Sequence, residues 1–269
     1  MASLTKDLNR ASEFFSRFER FGGDEIKLKK LLGNDELMEA WVKRLDEFPE
    51  FRLVHGLFTK PEAQIVRINE LRHERDWGIP DEWLNMAEKS VPKWPENELV
   101  SVNLVPYHHD KKDDEGRIMM SGLERTFHEL WDVAAKQQHA SYRWDGYDKA
   151  GPDRLQLHKG VHRVSLRWEV IDLGCNRNKK PMDVRNAKSS PHAGILAAAV
   201  LHPNWVKSMD GDKVPYVFAP GYEVQVPDEK PWASVPYLYF GSDSRGIQLD
   251  YSWCDECSSS WAVPSFFRE

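Results

Sequence analysis

Cysteine is scarce in this chain. Three cysteines among 269 residues, an odd number, make no disulfide framework and fit a reducing compartment. Long hydrophobic runs are absent as well: no stretch approaches the ~18 apolar residues of a membrane span. The opening MASLTKDLNR lacks the apolar stretch of about 7 to 15 residues found in a secretory signal. A membrane partner is therefore not expected, and the expected location is the cytoplasm. The chain has no P-loop, no G-x-G-x-x-G and no G-x-S-x-G, which leaves phosphate cradles, dinucleotide binding and the hydrolase elbow without sequence support. Low-complexity tracts and internal repeats are missing too, so collagen, solenoid and coiled-coil architectures fall away.

What is present describes a globular chain with a polar surface: 41% apolar, 30% charged and eleven tryptophans. At this length folding buries roughly 70 to 75% of the surface exposed by the unfolded chain. The net charge of −6 hides a division. Residues 154–190 carry a net +6, between flanks of −7 (1–153) and −5 (191–269). A basic segment of this kind can be a phosphate footprint, because Lys and Arg release the counterions of a nucleic acid. It can equally pair with its acidic neighbours.

Periodicity places the elements. Phe14, Phe15, Phe18 and Phe21 form one face of a helix over Asn9–Phe21, and a second helix runs from Asn34 or Asp35 to Phe48 with Leu37, Met38, Trp41 and Leu45 as its stripe. Phe51–Phe58 reads as a strand. Thr59-Lys60-Pro61-Glu62 then opens a helix to about Arg75, and Pro80-Asp81-Glu82 opens another to Lys89. Pro92 and Pro95 mark a boundary within Ser90–Asn97. Leu99–Tyr107 alternates as a strand, His108–Gly116 is a polar insert, and Met119–Ala140 is a long amphipathic helix. In Val161–Asp172 the apolar Val164, Leu166, Trp168 and Val170 alternate with Arg163, Ser165, Arg167 and Glu169, a strand with one buried face. A helix follows within Pro191–Met209, its Ala193–Leu201 part apolar nearly all round and hence the most buried, with Pro203 near its end. Five short aromatic-rich strands complete the chain at 214–218, 222–226, 235–240, 246–253 and 260–267. These patterns predict an α+β protein: a mainly helical region over 1–95, then a mixed unit over 96–269 built on an aromatic-rich, mainly antiparallel sheet.

The phrases LVHGLFTKPEAQIVRINELRHERDWG at 53–78, PMDVRN at 181–186, HAGILAAAVLHPNWVKSMDG at 192–211, VPYVFAPGYEV at 214–224 and AVPSFFRE at 262–269 resemble a family of uncharacterised proteins from small-genome, candidate-phyla bacteria. The resemblance covers most of the chain. It implies a bacterial, cytoplasmic protein and carries over no activity, ligand or catalytic residue.

Candidate chemistry is local. Cys254 and Cys257 form a C-x2-C pair after the alternating Ile247, Leu249, Tyr251 and Trp253, a hairpin-turn setting that suits half of a zinc site. A structural zinc usually takes four ligands, and only Cys175 and scattered histidines remain to complete it, so an ordinary turn is the competing reading and no cofactor is expected. His108, His109 and Asp110, with Asp113, Asp114 and Glu115, concentrate imidazole and carboxylate in one loop, the donor set of a metal-dependent hydrolase or nuclease. That loop fails the EF-hand pattern and is also what a solvated turn looks like. His158 and His162 are four apart but separated by a glycine turn rather than a helix. Trp168, Trp232, Tyr251, Trp253 and Trp261 gather near the C-terminal strands, as core or as stacking surface.

Taken together, these features suggest a non-catalytic interaction module that recognises a macromolecule, protein or nucleic acid, through Trp253, Trp261 and the aromatic sheet. In the nucleic-acid version Arg163, Arg167, Arg177, Lys179, Lys180 and Arg185 contact phosphate. The enzymatic alternative is the metal-dependent hydrolase or nuclease.

Overall fold

The computed structural model describes residues 53–267, apart from 55–56, 95–96, 141, 148–154, 159–160, 187–189, 227–228, 230–231 and 242–245. The helices expected over Asn9–Phe21 and 34–48 lie outside the described residues. By its contacts the chain divides after Glu50, and the description below is of the second unit.

That unit is mixed α+β. The stretch expected to be a single strand over 51–58 instead supplies both arms of a hairpin, β1 (Leu53–Val54) and β2 (Phe58–Thr59). Helix α1 (Pro61–Glu74) follows with Pro61 in its first turn, where the missing N–H costs nothing, and α2 (Asp81–Lys89) begins after Pro80, which is its N-cap residue. Strand β3 (Val100–Tyr107) is buried along its whole length. The next segment folds into a small hairpin, β4 (Lys111–Lys112) with β5 (Ile118–Met120). The long helix therefore starts later than its apolar pattern suggests, as α3 (Gly122–Gln137). Its start is set by a capping box: Ser121 accepts from the Glu124 backbone N–H, while Glu124 accepts from the Ser121 N–H.

Strand β8 (Ser165–Asp172) pairs antiparallel with β3 over eight residues, from Val100 opposite Asp172 to Tyr107 opposite Ser165. The order β14-β8-β3 makes a three-stranded sheet. The free edge of β3 is closed by a side chain, not a strand. Gln64 of α1 donates to Val102 O at 2.6 Å and accepts from Leu104 N at 2.9 Å, so its carboxamide stands where a neighbouring peptide group would.

The larger sheet has seven strands: β6 (Tyr142–Arg143), β7 (Leu155–Leu157), β9 (Tyr216–Phe218), β10 (Tyr222–Val224), β11 (Ser234–Gly241), β12 (Gly246–Trp253) and β13 (Trp261–Ala262). It is mostly antiparallel, with β6 on β12 and β13 on β9 the parallel pairs. The last expected strand, 260–267, divides at Val263-Pro264: β13 joins the larger sheet, and β14 (Ser265–Phe266) joins β8. One short segment thus ties the two sheets together.

Helix α4 (Pro181–Val184) is a single turn in the basic segment. The helix expected across 191–209 is two, α5 (Ala193–Leu201) and α6 (Pro203–Lys207). Pro203 lacks an N–H and its ring opposes a continuing turn, so the chain breaks at His202 and restarts. All nine residues of α5 are buried, packed on β3 and α3. A single hydrophobic cluster runs from Ile68 and Trp77 through Leu104 and Phe127 to α5 and on to Val217, Leu238 and Leu249. Residues 57–89 thus share their core with the sheets. No helix among the described residues is long and apolar enough to cross a membrane.

Candidate functional site

The site grows out of β8. Alternation predicts that its apolar even face is buried and its polar odd face is wet. In the structure Trp168 on the even face is only half-buried, its indole N–H donating to Ala87 O of α2 at 2.8 Å, whereas Glu169 on the odd face is 5% exposed. The reason is α5. Gly194 lies so close to the Glu169 carboxylate that any Cβ there would collide with Oε2, and would meet Ile171 Cδ1 at 2.5 Å. A helix without a side chain at that point seats directly over a strand's polar face.

Glu169 Oε1 accepts from the Tyr107 hydroxyl at 2.5 Å and from Arg167 Nε at 3.1 Å, and the Arg167 guanidinium lies 4.3 Å from the centre of the Tyr107 ring. Glu169 Oε2 is buried without a hydrogen-bond partner. Burial pushes the Glu169 carboxyl above its ordinary range, against the opposing pull of Arg167 and Tyr107. Beside it His192, the residue before α5, sits between the rings of Tyr107 and Tyr222 at 5.1 and 5.5 Å. Burial, assisted by Arg167 and His162, lowers its imidazole to about 3, and its Nε2 is unpartnered. It is a neutral histidine.

These groups open onto a cavity of about 580 Å3 lined by Arg163, Arg167, Glu169 and His192, together with His158, Gly221, Phe266 and Phe267. The cavity exists because β14 pairs only with Ile171 and Asp172, so no described strand covers that edge of β8 from Ser165 to Val170. His158, just past β7, donates its Nδ1–H to Glu223 Oε1 at 2.7 Å. Glu223, on β10, is further held by Arg185 at 3.1 Å and by the Gln156 amide at 2.7 Å.

The residues singled out from the sequence scatter differently. Arg163 and Arg167 line the cavity, and Arg185 is buried against Glu223 behind it. Arg177 turns away, its guanidinium donating to Asp212 O and, at 2.7 Å, to Lys213 O. Lys179 and Lys180 are exposed. Trp253 is exposed at the end of β12. Trp261 is half-buried and stacks on Tyr237 at 5.1 Å, which stacks on Tyr239 at 5.3 Å, so a ladder of rings crosses β13 and β11. Cys254 packs near Phe218, Val235 and Val263, and Cys257 is exposed. No group of three or more metal-capable side chains, at these cysteines or elsewhere, occurs among the described residues.

The 108–110 loop belongs to α3. His108 is buried against the Trp77 ring edge and its N–H donates to Thr126 Oγ1 at 2.9 Å; Asp110 accepts from Gly122 N at 2.7 Å; His109 stacks on Trp83. These side chains diverge into packing instead of converging on one point.

Sequence reasoning passed over Tyr107, His192, Tyr222 and Glu223. The readable signal was a charged residue, Glu169, at the centre of a strand next in the fold to an all-apolar helix carrying Gly194. Comparison with family models, curated proteins and solved structures returns no match for this chain.

Proposed function

We propose that the cavity beside β8 binds a small anionic molecule, held at its charge by Arg163 and Arg167 and at its polar end by Glu169 and His192. The observation that carries this reading is the pair of buried, unpartnered atoms Glu169 Oε2 and His192 Nε2 in residues that line an open cavity. Each such atom costs about 1–3 kcal/mol when left unsatisfied, a cost a ligand removes. Charge supports the anion. Glu223 is matched by Arg185 and Arg167 is paired with Glu169 at 3.1 Å, whereas Arg163 has no ion-pair partner among the described residues, so its positive charge at the wall is the one left for an anion.

Calorimetry and thermal unfolding in low-salt buffer, with inorganic phosphate and with malonate, test the reading. Binding raises the unfolding midpoint in proportion to ln(1 + [L]/Kd), weakens with added salt, and weakens in Arg163→Gln. Absence of stabilisation by both anions overturns it.

A second reading, recognition of a macromolecule by the aromatic sheet, is favoured by the Trp261–Tyr237–Tyr239 stack, whose three rings are only half-buried. Loss of a pulled-down partner in a Trp261→Ala, Tyr239→Ala variant supports it, and unchanged capture removes it.

A further inference from the structure

We propose that the cavity is a catalytic centre for proton transfer, in which His158 is the proton acceptor, acting on the anionic molecule bound there. The inference rests on the anion-binding reading above and adds a reaction to it. Its basis is the way Glu223 treats His158. A carboxylate oxygen 2.7 Å from Nδ1 takes the Nδ1–H, which fixes the tautomer and leaves the lone pair on Nε2, the ring nitrogen free to serve a cavity that His158 lines. Glu223 is itself locked. Arg185, whose side chain is 7% exposed, and Gln156 hold its two oxygens, so the imidazole has one orientation rather than several. A structural histidine has no need of a carboxylate so fully supported on a wall facing a cavity.

Glu169 lines the same cavity, but its unpartnered oxygen is buried against Gly194 of α5, so the proton chemistry falls to His158. In the forward step His158 Nε2 takes a proton from an O–H or C–H of the bound molecule, or from water attacking it. The imidazolium that forms keeps its Nδ1–H on Glu223. Water protonates the oxygen that becomes negative, and the hydroxide so formed takes the Nε2 proton back from the imidazolium, which balances the protons and resets His158. Glu223, Arg185 and Gln156 are positioning residues.

Carboxymethylation of the whole protein tests the assignment. Iodoacetate brings its own carboxylate to Arg163 and Arg167; the Nε2 lone pair displaces iodide from the methylene carbon, the C–N bond forms, the C–I bond breaks, and the Nδ1 proton is retained or passed to water. Labelled positions are read by peptide mass spectrometry, which separates histidine from cysteine, and the ring nitrogen by NMR of the modified peptide. The expected result is labelling of His158 at Nε2, with iodoacetate favoured over neutral iodoacetamide by about tenfold beyond the ratio in the urea-unfolded chain, the factor that about 1.4 kcal/mol of charge attraction gives. Phosphate protects. Glu223→Gln loses the Nε2 selectivity because an amide can turn either its donor or its acceptor to the ring, and Glu223→Asp restores part of it. Labelling equal for the two reagents, or directed to Nδ1, overturns the proposal. Phosphate stabilisation without labelling of His158 overturns it and leaves the binding reading standing; neither stabilisation nor labelling removes both.

Discussion

Lowering the pH should unfold this protein through buried neutral histidines, His202 and His108 together with the His192 of the cavity wall. His202, fully buried, accepts the Thr59 backbone N–H on Nδ1 at 3.0 Å and donates from Nε2 to Asn103 Oδ1 at 2.9 Å. Both ring nitrogens are committed to the neutral form, and a proton on Nδ1 would face an N–H. His108 is 2% exposed, with Nε2 unpartnered. Burial above all lowers each imidazole to about 3, with Arg125 and the neighbouring histidines adding to the effect at His108. An unfolded histidine titrates near 6.5. The unfolded chain therefore takes up protons that the fold refuses: the contribution to stability is complete above pH ~6.5 and is lost as the pH falls from there toward 3. Each group gives about 1.4 kcal/mol per pH unit in that window, and His192, likewise lowered to about 3, adds the same, so the three give about 4 kcal/mol per unit once the pH is well below 6.5. Two units of such a slope consume much of a typical 5–15 kcal/mol. Urea unfolding at pH 7.5, 6.5, 5.5 and 4.5, followed by far-UV circular dichroism, measures it. His202→Gln and His108→Asn should each start less stable and show about two-thirds of the slope. A stability flat from pH 6.5 to 4.5, or a slope that neither substitution alters, refutes the assignment.

Three substitutions probe the scaffold around the site. Gln64→Leu strips the carboxamide from the edge of β3 and leaves Val102 O and Leu104 N buried without partners, at a cost of about 1–3 kcal/mol for each; the urea midpoint should fall and the Leu104 amide should exchange faster. Gly194→Ala forces a methyl against Glu169 and Ile171, so a loss of about 1–3 kcal/mol is expected from overpacking, together with weaker phosphate binding in calorimetry because the Glu169 carboxylate is displaced. Ser121→Ala removes the side-chain half of the α3 capping box, and a loss of about 1 kcal/mol in thermal or urea unfolding is the expected outcome.

The α+β class, the positions of α1, α2, β3 and β8, and the complete burial of α5 were legible because each rests on a local period or a local stop signal. Boundaries failed where a local rule competed with a pattern. The apolar stripe ran on through Met119, but the capping box at Ser121 set the start of α3, and Met119 lies exposed on β5. Pro203 read as a helix end is the first residue of α6. The site was harder. His158, Glu169, His192 and Glu223 come from four segments spread over 66 positions, and nothing in the spacing of one announces another. Arg163 and Arg167 were picked out for their charge, within a basic segment of which the fold places Arg177 on two carbonyls and Arg185 on Glu223.

The two kinds of buried polar group in this fold separate structure from site. Gln64, Ser101, Asn103 and His202 are buried and linked: the Asn103 amide donates to Ser101 Oγ at 2.8 Å and to Glu169 O at 3.2 Å, while its oxygen takes the His202 proton. Such a network fixes register between β3, β8 and the end of α5, and it needs nothing more. Glu169 Oε2 and His192 Nε2 are buried and unmatched, in two residues that line the same cavity. Glu169 belongs to both sets, its backbone carbonyl in the network and its carboxylate at the cavity. A substitution that leaves the carbonyl in place, such as Glu169→Gln, therefore keeps the register of β3 on β8 while removing the carboxylate, and iodoacetate should still label His158 in the folded Glu169→Gln protein.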